Sequence, residues 1–319
     1  MNELYELARL GSDLSEEQAS SFEDFLEATP DDLDKRIQLL GYYLQKQFSS
    51  RMAADCRTAH ICYLVEHHPD CRLLDSPFAT IHRDLDPLGF DELRARWVAQ
   101  AAIHRENVDV LVNAAAFFSG DEFEMAEKIY TQIKRLEPEN PRWPQKLSAL
   151  YKLASKRPGD AKSKKALAEM TLSMDLDDST IGHFYKLNDL AALAYDNGDI
   201  ELARSLAERL LELAGDYSDN WNYGNAIHDA NSVLGRIALK EGDVKGAAAY
   251  LRKAGEIKGS PQLNSFGPNM VLAKDLLAEA PDAVIDYLRN CGKFWPSRTR
   301  IERWIKAIEK GEKPALPVH

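Results

Sequence analysis

Apolar residues return along much of the chain at the spacing of one helix face. Leu190, Ala191 and Ala194, then Leu234 and Ala238, then Ala247, Leu251 and Ala254 recur every three or four residues, the period that lines up side chains on one side of an α-helix. Nearer the start, Ser15-Glu16-Glu17-Gln18 is a capping box that opens a helix running to about residue 28. Thr29-Pro30-Asp31-Asp32 predicts another start, with Thr29 as cap, Pro30 in the first turn and a helix to about Phe48. Helices also fit about residues 53–68, stopped before Pro69, and about 91–105; between them Leu73 to Gly89 reads as an irregular loop.

A turn recurs between these patterns. Gly-Asp stands at Gly120-Asp121, Gly159-Asp160, Gly198-Asp199 and Gly242-Asp243, at intervals of 39, 39 and 44 residues. Glycine accepts the left-handed backbone that closes one helix, and aspartate caps the start of the next. A near-regular interval of this kind signals stacked supersecondary units, because one helix pair cannot bury its apolar face alone.

The residues around the turns carry a family resemblance. Ala114, Phe117, Ala126, Tyr130 and Pro138 mark one unit, and Leu147 and Tyr151 open the next. Leu190, Ala191, Ala194, Gly198, Ala203 and Leu210 mark a third, and Leu234, Gly235, Ala238, Gly242, Ala247, Leu251 and Ala254 a fourth. In these slots residues 104–292 resemble the tetratricopeptide-repeat (TPR) family, with units longer than its usual ones. The stretch from Gly259 to Met270, followed by Cys291-Gly292-Lys293-Phe294-Trp295, resembles segments of uncharacterised bacterial tetratricopeptide-repeat proteins. The resemblance implies an all-α fold, a TPR-like α-solenoid of stacked antiparallel helix pairs with a helical N-terminal region. Residues 1–103 then cap or extend the solenoid, 104–309 form the repeats and 310–319 a loose tail.

Composition narrows the function classes. The chain has 319 residues, 40 Lys and Arg against 51 Asp and Glu, and a net charge of −11, which opposes general nucleic-acid binding. No apolar run is long enough for a membrane span, and Met1-Asn2-Glu3-Leu4-Tyr5-Glu6 does not read as a secretory signal. Four cysteines do not make a disulfide scaffold and point to reducing cytoplasm.

Five groups of residues bear on chemistry. Cys56, His60, Cys62, His67, His68 and Cys71 invite a metal. Only Cys56 and His60 stand one turn apart, however, so the cluster reads as buried cysteines with histidines on a neighbouring helix or facing water. The stretch 219–231, with Trp221, Asn222, Tyr223, Asn225, His228, Asp229 and Asn231, coincides with the longest interval. It offers flat aromatic and amide contacts for recognition, or serves as a long helix connection with an aromatic plug. By analogy with the family's first helices, Gln145, Lys152, Asn188, Tyr195, Asp229, Ser232, Arg236 and Lys274 face a concave groove. That polar set suits an extended peptide but lacks the family's Lys/Asn clamp for an acidic chain end. The basic run Lys152, Lys156, Arg157, Lys162, Lys164 and Lys165 reads as a solvated turn. Finally, no GxSxG, Walker, GxGxxG or HExxH pattern occurs, and His82-Arg83-Asp84 stands without the other kinase motifs.

The sequence thus points to a non-catalytic scaffold that binds a protein or peptide, without metal or cofactor and with its oligomeric state open. Its candidate contacts are Gln145, Asn188, Tyr195, Trp221, Asn225, His228, Asp229, Ser232, Arg236 and Lys274. The alternative is an enzyme or small-ligand sensor using a pocket at Asn225, His228 and Asp229.

Overall fold

The structure, a computed structural model, describes residues 3–318. Among these residues it is helical with no strand, and it divides into two compact units between Leu150 and Tyr151. The repeat pattern read from residue 104 onward runs across that division.

The first unit begins with α1 (Glu3–Gly11), α2 (Glu16–Ala28), α3 (Leu33–Lys46) and α4 (Arg51–His67). A 3-10 turn (Arg72–Asp75) and an irregular segment lead to α5 (Pro87–Ile103), α6 (Val108–Phe118), α7 (Phe123–Leu136) and the start of α8 (Arg142–Ala154). The capping box forms as read: Gln18 N donates to Ser15 Oγ at 3.2 Å and Ser15 N to Gln18 Oε1 at 2.9 Å. The start at Thr29 does not. Thr29 N donates back to Phe25 O and closes α2, while Asp32 caps α3 by accepting from Lys35 N at 3.0 Å. Likewise α5 starts earlier than its apolar pattern, at Pro87, because Asp86 accepts from Gly89 N at 3.3 Å.

Helix α1 crosses α3 with backbones in contact. A Cβ at Gly11 would stand 1.8 Å from Gln38 O, and one at Gly41 the same distance from Ala8 O. Helix α3 packs in turn on α4, and α4 on α5. The irregular segment is no surface loop, since Leu73, Leu74, Phe78, Ala79 and Ile81 are all buried.

The second unit holds α9 (Ala161–Asp175), α10 (Thr180–Asp196), α11 (Ile200–Asp216), α12 (Tyr223–Lys240) and α13 (Val244–Gly255). The short α14 (Pro261–Phe266) and α15 (Val271–Leu276), then α16 (Pro281–Cys291) and α17 (Arg298–Glu309), complete it. Consecutive helices from α9 to α13 pack on one another, and α10 also touches α12, as stacked helix pairs require. Short links at 197–199 and 241–243 make α10/α11 and α12/α13 antiparallel. The small-residue slots form the seams: Ala194, Ala203, Ala207, Ala214, Ala226, Ala230, Ala247 and Ala254 are completely buried. Regularity ends after α13, where α15 packs on α12 and α13 in place of a full helix.

Two of the four Gly-Asp turns form as read: Gly198 and Gly242, with φ of 84° and 85°, close α10 and α12, and Asp199 and Asp243 cap α11 and α13. At a third, Gly159 has φ of 73° and Asp160 caps α9, but α8 has already ended at Ala154, so the glycine does not close it. Gly120 departs in both respects. Its φ is not positive, and α7 starts after Glu122, which gives no side-chain cap but pairs with Arg94 at 2.6 Å. The segment expected to be a loose tail lies against the second unit. Leu316 is buried and Met270 N donates to Pro317 O at 3.0 Å.

Gly41→Ala should lower the urea midpoint of unfolding, costing about 1–3 kcal/mol by overpacking. The same change at exposed Gly215, where a Cβ meets nothing within 4 Å, should gain up to about 1 kcal/mol from helix propensity. Asp177, at the α9–α10 link, receives Lys186 Nζ at 2.6 Å, and that ammonium is itself buried. Burial raises the Asp177 pKa, but Lys186 and Ser179 more than offset it and hold the carboxyl at about 2. A depressed folded pKa stabilises above the unfolded value near 3.8 and is lost as pH falls through about 2. Asp177→Asn should therefore cost about 2 kcal/mol at pH 7 in urea titrations, with the difference fading between about pH 4 and pH 2.

Candidate functional site

In the second unit a cavity of about 150 Å³ opens where α10, α12 and the start of α15 meet. The helical register delivers its polar wall: Asn188 and Asp189 from α10, and Asp229, Ser232 and Arg236 from α12 at three- and four-residue steps. Lys152 joins from α8, and Asn269, Val271 and Leu272 from the turn into α15.

The charges in this wall are paired within it or just beside it. Lys152 Nζ lies 2.6 Å from Asp189 Oδ1, and Arg236 Nη2 lies 3.2 Å from Asp196 Oδ1. The Arg236 guanidinium also sits 4.0 Å from the centre of the Tyr195 ring. Asn188 Nδ2 donates to Asp229 Oδ2 at 3.1 Å, and Ser232 Oγ donates to His228 O at 2.7 Å. Two buried atoms have no partner: Asn188 Oδ1, an acceptor, and Arg236 Nε, a donor.

The structure thus brings together Asn188, Asp229, Ser232 and Arg236, with Tyr195 beneath the arginine. Of the pocket expected at Asn225, His228 and Asp229, it brings His228 and Asp229 to this cavity but not Asn225. Asn225 is buried away from the cavity; its Nδ2 donates to Asn222 Oδ1 at 2.9 Å and Gln262 Oε1 at 2.5 Å, and its Oδ1 accepts from Ser260 Oγ at 2.6 Å. These bonds fasten the start of α14 to α12. His228 is 1% exposed, and both ring nitrogens are occupied. Nδ1 donates to Asp229 Oδ1 at 2.9 Å, since a carboxylate can only accept, and Nε2 lies 3.1 Å from the Tyr287 hydroxyl. Trp221 stacks on Tyr185 with centroids 5.5 Å apart, and Lys274 is exposed on α15; neither lines the cavity. Gln145 is half-buried on α8 in the first unit.

Sequence reasoning missed Asp189, Asp196 and Asn269. The two aspartates were legible as neighbours of Asn188 and Tyr195 on one helix. Asn269 sits in an irregular turn that no periodicity places.

The Cys/His cluster serves packing in the first unit. Arg36 Nη1 donates to His60 Nδ1 at 3.0 Å, so His60 Nε2 carries the proton and donates to Glu23 Oε1 at 2.9 Å. Tyr43 OH donates to the same oxygen at 2.6 Å. Burial opposes the Glu23 charge, but His60 and Tyr43 hold its pKa below the ordinary carboxylate range. Burial also pushes the thiols of Cys62 and Cys291 up to about 12, against nucleophilic use. Among the described residues no group of three or more His, Cys, Asp or Glu is placed to hold a metal. Of the basic run, Lys152 pairs with Asp189, and Lys165 Nζ lies 4.9 Å from the centre of the Tyr151 ring. Among the described residues no helix is long and apolar enough to cross a membrane.

No protein-family model matches the chain, and no curated protein does. Among solved structures it is similar to the crystal structure of an APC/C hetero-tetramer, Cut9-Hcn1. The identity is 12%, the TM-score 0.41, and the match covers 97% of this chain and 63% of that one. This chain thus spans less than two thirds of that neighbour's length. The helix stack described above stands on its own contacts, and a likeness at this level carries no function with it.

Because Asn225 ties α12 to α14 away from the cavity, Asn225→Ala should lower stability by about 1–3 kcal/mol, read by thermal unfolding, through the buried partners it strands. It should leave any binding at the cavity unchanged.

Proposed function

We propose that the second unit is a non-catalytic interaction module whose groove between α10, α12 and α15 captures an uncharged stretch of a protein or peptide. The observation that carries this reading is the unmatched pair of buried atoms, Asn188 Oδ1 and Arg236 Nε, on one cavity wall. A peptide unit presents one N–H and one C=O, the complement of that acceptor and donor once the two side chains turn their covered atoms toward the cavity. Leaving either atom dry and unpaired costs free energy that a bound backbone would recover.

The electrostatics favour a neutral segment. Lys152 and Arg236 already hold carboxylates of the same unit, so neither offers an open charge to an acidic chain end. Val271 and Leu272 supply an apolar contact beside the polar wall. The rival idea of an enzyme or small-ligand sensor finds no support in a histidine and an asparagine consumed by internal bonds.

The test is selection of peptides from a random display library on the full chain, followed by affinity measurement on Asn188→Ala/Arg236→Gln. Loss of two hydrogen bonds should weaken selected peptides by roughly tenfold to a hundredfold. The melting temperature should move by no more than a few degrees, on the order expected for 1 kcal/mol. Equal affinity for the two proteins would remove the groove assignment.

A further inference from the structure

A second cavity lies in the first unit, outside the groove. It encloses about 850 Å³ between the end of α3, the start of α4 and the irregular segment before α5. Pockets that take small organic ligands run from about 300 to 1,000 Å³.

The lining of this cavity includes the apolar side chains Leu44, Phe48, Ile81 and Leu85. Phe48 is 75% exposed and Leu85 65%, so two large apolar side chains stand in water with nothing from this chain over them. The same lining holds Arg57, which is only 2% exposed. Its Nη2 donates to the carbonyls of Pro77, Phe78 and Thr80 at 3.2, 2.8 and 2.9 Å, and its Nη1 to Gln47 Oε1 at 3.1 Å. All four acceptors are neutral, and Nε has no partner.

Asp86 also lines the cavity but is committed elsewhere. Arg51 Nη1 reaches its Oδ1 at 3.2 Å, Gly89 N donates to the same oxygen, and Thr58 Oγ1 donates to Oδ2 at 3.4 Å. Arg51 is held by Asp86 and also by Asp55 at 2.7 Å, which leaves Arg57 as the lining arginine with no carboxylate among its hydrogen-bond partners. Burial brings the Arg57 pKa down to about 10, with Asp86 acting the other way, so the guanidinium stays charged at neutral pH. A buried cation whose hydrogen-bond partners are all neutral is costly. Helix α4 begins at the same cavity, and its positive end adds to the field.

We propose that this cavity is a binding site for a small amphipathic carboxylate, its anionic head toward Arg57 and the start of α4 and its apolar body along Phe48, Ile81 and Leu85. An anion answers a buried guanidinium that no carboxylate hydrogen-bonds, and a hydrocarbon or aryl body covers the exposed side chains. Neither a sugar nor a plain inorganic anion does both.

Calorimetric titration of the full chain with decanoate and with decanol tests the site. Decanoate should saturate one site about tenfold or more tighter than decanol, and its affinity should fall as salt rises. Arg57→Gln should remove the preference for the carboxylate. Since Arg57 also holds the 77–80 backbone and that variant can fail to fold, Phe48→Ser/Leu85→Ser decides independently: both side chains are exposed, so folding by circular dichroism should be unchanged. Decanoate binding in that double variant should weaken about tenfold or more. Absence of saturable decanoate binding, equal affinity for decanol, or unchanged binding in the mouth variant would each overturn the proposal.

Discussion

Close approach of helix backbones is the constraint on which both units depend. In the second unit it is achieved by alanine: the seams between α10, α11, α12 and α13 are lined by residues with a single methyl group, fully buried. Larger side chains such as Phe184, Leu187, Leu210, Leu234 and Ile237 fill the spaces the seams leave. In the first unit the approach is closer still where α1 meets α3, since Gly11 and Gly41 lack even the methyl. Each helix offers one apolar face to the chain before it and another to the chain after it, so no pair is stable without a neighbour.

This arrangement fixes where polar chemistry can appear. Side chains pointing away from the seams at steps of three and four residues are carried in register from α10 to α12, which is why Asn188 faces Asp229 and Arg236 faces Asp196. Polar residues pointing into the seams are consumed by the stack. His228, Asn225 and, in the first unit, His60 are buried ties between helices. Their hydrogen bonds join α12 to α14 and α16, and α4 to α2 and α3.

That division explains what the sequence disclosed. Helix faces were readable because alanine and leucine recur at the helical period, and two turns were readable because glycine followed by aspartate has one physical use there. Gly120-Asp121 uses the same letters without the same geometry, since Glu122 is drawn to Arg83 and Arg94 on α5 and its approach. Thr29 and Asp32 both had the chemistry of a cap, and only the end of α2 decided between them. The groove was half legible: Asn188, Ser232 and Arg236 follow from register, but a polar residue on α12 shows no sign of whether it faces water or another helix. The first-unit cavity was invisible, because Leu44, Arg57 and Asp86 come from three segments with no common period.

The internally matched charges of the groove also set how a partner would arrive. With Lys152 held by Asp189 and Arg236 by Asp196, little long-range field extends from that wall to draw in a charged molecule. Encounter would be governed by diffusion and fit, at the ordinary rates of unsteered association, and complex lifetime rather than speed of capture would separate one sequence from another.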